Sequence, residues 1–259
     1  MTTRIGVAGV AGRMGRLLTE EIARAPNAAF AGGTMRPGAA TGSAGGDVAP
    51  DPAALFALAD VVIDFTHPGA LAAQLDAAVA AGKALVVGTS GLSAAQEQAI
   101  APAARSIPIV YAANFAPAAN VMLGLVREAA AALGPDYDIE IVEMHHRQKI
   151  DAPSGTAIAL GREAAAGRGV VLDDVMESGR TGHTGRRKDG AIGFAALRGG
   201  QVVGEHSVIF AGGVEHVSIS HRSFDRRVYA EGAVRAAVWV AGQPPGLYGM
   251  LDVLGMARS

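Results

Sequence analysis

The residues best suited to chemistry lie together in the second half of the chain, in the stretch EMHHRQKIDAPSGT at positions 143–156. His145 and His146 are adjacent in a chain with only seven histidines, and Lys149 follows three residues later. Imidazoles exchange protons near neutral pH, and an ammonium group can bind a carboxylate or donate a proton. The stretch therefore indicates a site where a small anion is bound and protonated.

The end of this stretch is typical of a helix N-terminus. Ser154 is a favoured N-cap residue, and Gly155 and Thr156 would form the first turn. Free amides at such an end bind anions, and glycine lets a ligand approach the backbone. Together these features favour a small dicarboxylate, whereas the alternative is a solvated polar turn. No metal is predicted, because adjacent strand residues point to opposite faces and the chain has no cysteine.

A second candidate site is the glycine-rich turn VAGVAGRMG. Gly9, Gly12 and Gly15 lie at three-residue intervals after a predicted strand. This arrangement is typical of dinucleotide turns, in which backbone amides at a helix start face a pyrophosphate. Ala11 stands where the common fingerprint has a glycine, so a purely structural turn is the alternative.

The segment after the second strand bears on the choice of cofactor. It reads GGTMRPG, with Met35 and Arg36 where a carboxylate would hold the ribose of NAD. An arginine suits the 2′-phosphate of NADP, so the sequence favours NADPH over NADH. The alternative is that Arg36 is a solvated loop residue.

Strands and helices alternate through the first part of the chain, which predicts a parallel sheet with helices on both faces. The predicted strands are 4–10, 28–35, 59–66, 84–89 and 107–115, the helices are 12–25, 69–81 and 93–104, and 36–50 is a loop. Loops after later strands would line the ligand crevice, which makes Thr66, Thr89 and Ser90 candidates to contact nicotinamide and its ribose. His67 is given no catalytic role.

A different pattern follows. We expect a helix at 118–133, a strand at 137–146 and a helix after Thr156, then an antiparallel meander of three strands at 191–198, 202–211 and 214–222. A last helix, 226–242, could return to the first domain. The predicted fold is an α/β Rossmann-like dinucleotide-binding domain, residues 1–116 and 226–259, plus a smaller α+β mixed-sheet domain, residues 117–225.

Composition excludes several classes of partner. The net charge is −2, which gives no basic field for nucleic acid or a membrane surface. No apolar run approaches the roughly 20 residues of a membrane helix, and the start does not read as a signal peptide. The absence of cysteine fits a cytoplasmic protein.

The chain resembles the dihydrodipicolinate reductase family, now also named 4-hydroxy-tetrahydrodipicolinate reductase. The resemblance is carried by GVAGVAGRMGR, VIDFTHP, VVGTSG, AANFAPAANVML, IEIVEMHHRQKIDAPSGTA, VGEHSVIFA and GAVRAAVWVAG. It implies reduction of a cyclic dicarboxylate by NADPH or NADH in lysine and diaminopimelate biosynthesis, the same two-domain fold, and a cytoplasmic homotetramer assembled through the second domain.

The resemblance also assigns residues. It implies that His145 is the proton donor and acceptor, that Lys149 donates a proton, and that His146, Ser154, Gly155 and Thr156 bind substrate. It assigns cofactor contacts to Gly9, Val10, Ala11, Gly12, Arg13, Met14, Arg36, Gly88, Thr89, Ser90, Ala112, Ala113, Asn114 and Phe115. Met35 and the sequence APAAN after Phe115 depart from the family pattern. The rival hypotheses are another two-domain dehydrogenase and a non-catalytic NAD(P) sensor.

Overall fold

The structure is a computed structural model that describes residues 1–35 and 48–256. Arg36 and most of the predicted loop at 36–50 lie outside the described residues. The strands are β1 (Thr3–Ala8), β2 (Ala28–Thr34), β3 (Val48–Ala49), β4 (Val61–Asp64), β5 (Ala84–Val87), β6 (Pro108–Tyr111), β7 (Asp138–His145), β8 (Met176–Ser178), β9 (Ile192–Arg198), β10 (Gly204–Ala211), β11 (His216–Ser223) and β12 (Gly246–Tyr248). The helices are α1 (Arg13–Arg24), α2 (Pro52–Leu58), α3 (Leu71–Ala81), α4 (Ala94–Ala103), α5 (Pro117–Leu133), α6 (Gly155–Gly167), α7 (Leu172–Val175), α8 (Arg227–Val240) and α9 (Met250–Val253).

The chain forms two compact units. The first, called the discontinuous unit, consists of Met1–Pro117 and Arg227–Ser259. The second, called the inserted unit, consists of Ala118–Arg226.

The discontinuous unit is built on a 7-stranded sheet of order β12-β6-β5-β4-β1-β2-β3, in which neighbouring strands are parallel. The order β3-β2-β1-β4-β5-β6 is that of a Rossmann fold, and it confirms the predicted fold class. The connections change direction between β1 and β4. A ligand crevice is therefore expected beside the carboxyl ends of these two strands.

Apolar side chains fill both faces of this sheet. Val61, Val62 and Ile63 of β4 are fully buried, as a parallel strand covered on both sides requires. Helices α1 and α8 pack on one face, and α2, α3 and α4 pack on the other. The backbone of α8 comes very close to the preceding chain, because a Cβ at Gly232 would lie 1.7 Å from the carbonyl oxygen of Phe115.

The inserted unit contains a 5-stranded sheet of order β11-β10-β7-β9-β8. The predicted antiparallel meander of the last three strands is wrong. β10 and β11 do form an antiparallel pair, but β9 lies on the other side of β7 and runs parallel to it. The reason is that β7 lies between β9 and β10 in the sheet. The short turns in the sequence suggested pairing of consecutive strands and gave no sign of this long-range pairing.

The two faces of this second sheet differ. Ile139, Ile141, Val208 and Phe210 lie on the face covered by α5 and α6, and all four are buried. The opposite face carries Val142, Ile209 and Leu197, of which Leu197 is 50% exposed. One face thus supplies the core of the unit, while the other remains a partly exposed surface, called the open face below.

Candidate active site

The turn between β1 and α1 depends on glycine backbone geometry. Gly9 has a φ of +72°, and a Cβ at Gly15 would lie only 2.3 Å from the carbonyl oxygen of Gly9. Gly12 donates its N–H to that same carbonyl over 2.9 Å and begins α1 as its N-cap. The first turn of α1 has no acidic residue, and Gly12 provides no side-chain cap. The helix start therefore presents amides and a positive dipole end to an anion.

A cleft of about 840 Å³ opens beside this turn, a volume within the range of small-ligand pockets. Its walls come from three loops at the carboxyl edge of the sheet and from the start of α2. The lining includes Gly9, Ala11, Gly12, Arg13, Met14, Thr34, Met35, Asp51, Phe65, Thr66, His67 and Gln74. Most of the predicted cofactor turn thus lines the cleft. His67, Asp51 and Gln74, for which no role was predicted, line it as well.

Val10 lies behind the turn rather than in the cleft. Its side chain is buried and packs against Gly33, where a Cβ would lie 2.5 Å from the Cβ of Val10. Its N–H donates to the carbonyl of Thr34 over 2.9 Å. Val10 therefore fixes the turn to β2.

A buried carboxylate organises the loop after β4. Asp64 accepts hydrogen bonds from the N–H and the hydroxyl of Thr66, at 2.8 and 2.5 Å, and burial raises the pKa of Asp64. Thr89 is buried, and its hydroxyl lies 3.4 Å from the carbonyl of Asp64. Both threonine hydroxyls are thus engaged internally, and Thr66 presents its methyl group to Gly9.

The remaining predicted cofactor loops meet around one aromatic ring. A Cβ at Gly88 would lie 2.2 Å from the ring of Phe65, and the rings of Phe65 and Phe115 are 5.3 Å apart. Phe115 is buried, whereas Ser90 and Ala113 are exposed at the same edge of the sheet. Ala112 and Asn114 are partly exposed beside them.

In the inserted unit, Glu143 is the centre of the predicted substrate stretch. Its carboxylate is buried, and Oε2 lies 2.5 Å from Nδ1 of His145. Arg198 donates to both carboxylate oxygens over 2.8 Å each. Burial raises the pKa of Glu143, but the hydrogen bonds from Arg198 and His145 outweigh it, so the pKa lies below its usual value. Glu143 is therefore an anion that accepts hydrogen bonds.

His145 is a buried histidine beside several charged groups. Burial lowers its pKa, and the Glu143 carboxylate partly offsets this by favouring the charged imidazole. A Cβ at Gly204 would lie 3.1 Å from Nε2 of His145, so glycine leaves space next to that nitrogen. His146 is partly exposed, and its Nδ1 has no hydrogen-bond partner among the described residues. The two histidines thus differ in environment.

Lys149 lies in the loop after β7. Its Nζ contacts both carboxylate oxygens of Asp151, at 2.9 and 2.8 Å, and this pairing lowers the pKa of Asp151. Arg198 donates to the carbonyl of Asp151 over 2.7 Å. The arginine that holds Glu143 therefore also holds the loop that carries the lysine.

Ser154 is the N-cap of α6, as predicted. Its hydroxyl accepts the N–H of Ala157 over 3.2 Å, and its own N–H donates to Glu143 over 3.2 Å. The hydroxyl also lies 3.2 Å from Nε2 of His206, whose pKa is lowered to about 4 by burial. Gly155 is exposed, with open space beside its Cα, and Thr156 follows it in the first turn.

Within the described ranges, no cluster of three or more histidine or carboxylate side chains is arranged to hold a metal ion. No described helix is long and apolar enough to cross a membrane.

The chain matches two family models that together cover most of its length. Residues 3–115 match the dihydrodipicolinate reductase N-terminus, and residues 118–254 match the dihydrodipicolinate reductase C-terminus. The chain belongs to the dihydrodipicolinate reductase family. It is therefore an oxidoreductase, and its N-terminal part is a dinucleotide-binding domain.

Individual relatives agree with the family models. The chain is 58% identical to 4-hydroxy-tetrahydrodipicolinate reductase of Granulibacter bethesdensis over 98% of this chain and 97% of the relative. It is 53% identical to the enzyme of the same name from Gluconacetobacter diazotrophicus over 99% and 100%. Among solved structures, dipicolinate-bound dihydrodipicolinate reductase from Paenisporosarcina sp. TG-14 has the same fold, with a TM-score of 0.78 and 23% identity over 97% of this chain and 99% of that one.

Sequence reasoning gave no role to four residues in or around the substrate stretch: Glu143, Asp151, Arg198 and His206. A signal for Glu143 was present, because it occupies an inward position of an alternating strand between Ile141 and His145, where a charged residue needs a partner. Arg198 and His206 carried no such signal, since their strands reach β7 only through long-range pairing.

Proposed function

We propose that this chain reduces 4-hydroxy-tetrahydrodipicolinate to tetrahydrodipicolinate in lysine and diaminopimelate biosynthesis, with NADPH or NADH as the reductant. Family membership over nearly the whole chain is the observation that carries the proposal. When bound, the reduced nicotinamide supplies a hydride. Loss of water from the substrate and addition of a hydride and a proton balance the reaction.

The glycine turn fits a dinucleotide. The Gly9–Met14 segment would hold the pyrophosphate at the start of α1, where the amides lack an acidic neighbour in the first turn. Loops Gly88–Ser90 and Ala112–Phe115 would border the nicotinamide at the edge of the sheet marked by Phe65. In this assignment Val10 and Thr89 shape the site through their buried side chains, while the exposed Ser90 is available for direct contact.

His145 and Lys149 would handle the protons. Nδ1 of His145 is bound to Glu143, so Nε2 is the nitrogen that can exchange a proton with the substrate. Lys149 would leave Asp151 for a substrate carboxylate or a developing negative charge, since an ammonium group can pair with either.

The start of α6 would bind a carboxylate of the substrate. Ser154, Gly155 and Thr156 form its N-terminal turn, and the open space beside Gly155 allows close approach. His146, whose side chain is partly exposed, would add a further donor.

NADPH is the proposed preferred cofactor. Met35 lines the cleft at the end of β2, where a carboxylate would favour NADH, and Arg36 follows it in the sequence. A cytoplasmic homotetramer is proposed as the assembly. The open face, with Val142, Leu197 and Ile209, would form the contact between copies, because burying these side chains is favourable.

The test is a coupled assay that follows oxidation of NADPH or NADH while dihydrodipicolinate synthase generates the substrate in the cuvette. Turnover that requires the synthase product supports the proposal. Cofactor binding without turnover on this substrate would overturn it and favour another dehydrogenase substrate or a sensor role.

A further inference from the structure

The four acceptor positions of the Glu143 carboxylate are all occupied by groups from different parts of the fold. Oε1 accepts the backbone N–H of Ser154 and one Nη of Arg198, while Oε2 accepts the other Nη and lies beside Nδ1 of His145. An ionised carboxylate offers about four such positions and no donor. Nδ1 of His145 must therefore carry a hydrogen.

We propose that Glu143 is the positioning residue of the site: it fixes His145 as the Nδ1–H tautomer and leaves Nε2 free to exchange a proton. Arg198, which donates to both carboxylate oxygens, holds Glu143 in place and offsets its negative charge at His145. The inference rests on the proposed function for its kinetic consequence, because it assigns His145 the proton exchange. The claim about the tautomer concerns the His145 imidazole alone and does not depend on the substrate.

The arrangement links three functional pieces through one anion. Glu143 holds His145 directly, holds the start of α6 through the N–H of Ser154, and is held by Arg198, which also binds the carbonyl of Asp151 in the Lys149 loop. Without Glu143, the distances among these groups would depend only on a loop and two strand ends. A buried carboxylate with fully satisfied hydrogen bonds is a rigid reference point.

Burial lowers the pKa of His145, and the neighbouring charged groups adjust it further. The groups that face His145 are Glu143 of its own strand, Arg198 of β9, His206 of β10 and Lys149 of the following loop. Glu143 raises the pKa of His145, whereas Arg198 and Lys149 lower it. Removing the carboxylate and removing the arginine should therefore shift the His145 titration in opposite directions.

The first experiment is nuclear magnetic resonance of the unmodified protein with ¹⁵N-labelled histidine. The His145 signals are assigned by their loss in His145→Gln. We expect the neutral ring to carry its hydrogen on Nδ1, and a neutral ring protonated on Nε2 would overturn the proposal. This measurement involves no turnover, so it stands even if the protein proves to reduce another substrate.

The second experiment measures the His145 titration and the pH dependence of kcat/KM in two variants. Glu143→Gln should move both to lower pH and reduce kcat by roughly 10- to 100-fold, the range known for carboxylates that orient a metal-ligating histidine. Arg198→Met should move both to higher pH. Shifts in the same direction, or no shift in either variant, would overturn the proposal.

Glu140→Gln is the matched control. Glu140 lies on the same strand and pairs with Arg180 and Arg187, but it points to the open face. Its replacement should leave the His145 titration unchanged. If Glu143→Gln does not fold, the tautomer and the Arg198→Met shift still decide the question.

Discussion

His145 and Arg198 are register partners at the carboxyl ends of the parallel strands β7 and β9. Both side chains lie on the covered side of the sheet and meet the carboxylate of Glu143, two residues before His145. The pairing of β7 with β9, between residues more than 50 positions apart in the sequence, thus brings Arg198 to Glu143, the anion that holds the predicted proton-exchanging histidine.

Replacing His145 tests the proposed proton exchange. His145→Gln should lower kcat by roughly 100-fold or more with a modest change in KM, because general acid–base catalysis is lost while binding groups remain. Steady-state kinetics with both cofactors measure the effect. His183→Gln, at an exposed loop histidine, is the control, and equal activity of the two variants would remove His145 from the mechanism.

Lys149 can be tested against a lysine outside the site. Lys149→Ala should reduce kcat/KM by roughly 10- to 100-fold, the range expected when a hydrogen bond from a charged group is lost. Lys188→Ala removes an ammonium that is 81% exposed and should have little effect. Matching kinetics for the two variants would contradict the role of Lys149.

The glycine turn makes a prediction about stability and cofactor binding. Gly15→Ala would bring a methyl group within 2.3 Å of the Gly9 carbonyl, so the turn must shift. We expect a loss of about 1–3 kcal/mol in unfolding free energy, as for other overpacked sites, together with weaker cofactor binding. Denaturant unfolding and a cofactor fluorescence titration measure the two effects. Gly213→Ala has open space around it and should resemble the parent protein.

Cofactor preference depends on Met35 and Arg36. Arg36→Ala should raise KM for NADPH by roughly 10- to 100-fold and leave KM for NADH nearly unchanged, because only NADPH carries the 2′-phosphate. Met35→Glu should improve NADH by offering a ribose acceptor. An equal loss of both cofactors in Arg36→Ala would show that the arginine does not recognise the phosphate.

His206 predicts a pH dependence of stability. Its pKa is about 4 in the folded protein against an ordinary value of 6.5, so the unfolded chain binds the proton more readily. Above about pH 6.5 His206 is neutral in both states and has no effect on stability. As the pH decreases toward 4, the unfolded chain takes up the proton first, and the free energy of unfolding falls by roughly 3 kcal/mol. Urea unfolding at several pH values should show a shallower dependence for His206→Gln than for the parent protein or His183→Gln. Parallel curves for all three would contradict the prediction.

The first sheet could be predicted because its signals are local. Strands with a continuous apolar run, such as Val61–Ile63 of β4, alternate with helices, and a parallel sheet follows from such alternation. Short elements were missed, among them α2, although Asp51 and Pro52 are strong start signals and Asp51 does cap the helix.

The candidate site was only half visible in the sequence. The stretch from His145 to Thr156 is contiguous, and its N-cap at Ser154 formed as predicted. Arg198 and His206 come from strands whose partners are set by burial across the whole sheet, so no spacing rule connects them to His145. Thr66 and Thr89 were expected to contact the cofactor. In the structure the hydroxyl of Thr66 donates to the buried carboxylate of Asp64, and the hydroxyl of Thr89 lies 3.4 Å from the backbone carbonyl of Asp64.

The contact between Gly232 and Phe115 has a consequence for synthesis on the ribosome. The discontinuous unit contains β1, the first strand to be made, but it lacks α8 and β12 until the last part of the chain has been synthesised. The inserted unit, in contrast, is complete once residue 226 has left the exit tunnel. The inserted unit should therefore fold before the discontinuous unit does. The N-terminal part of the chain would remain incompletely folded, and accessible to chaperones, until α8 is available to pack on its sheet.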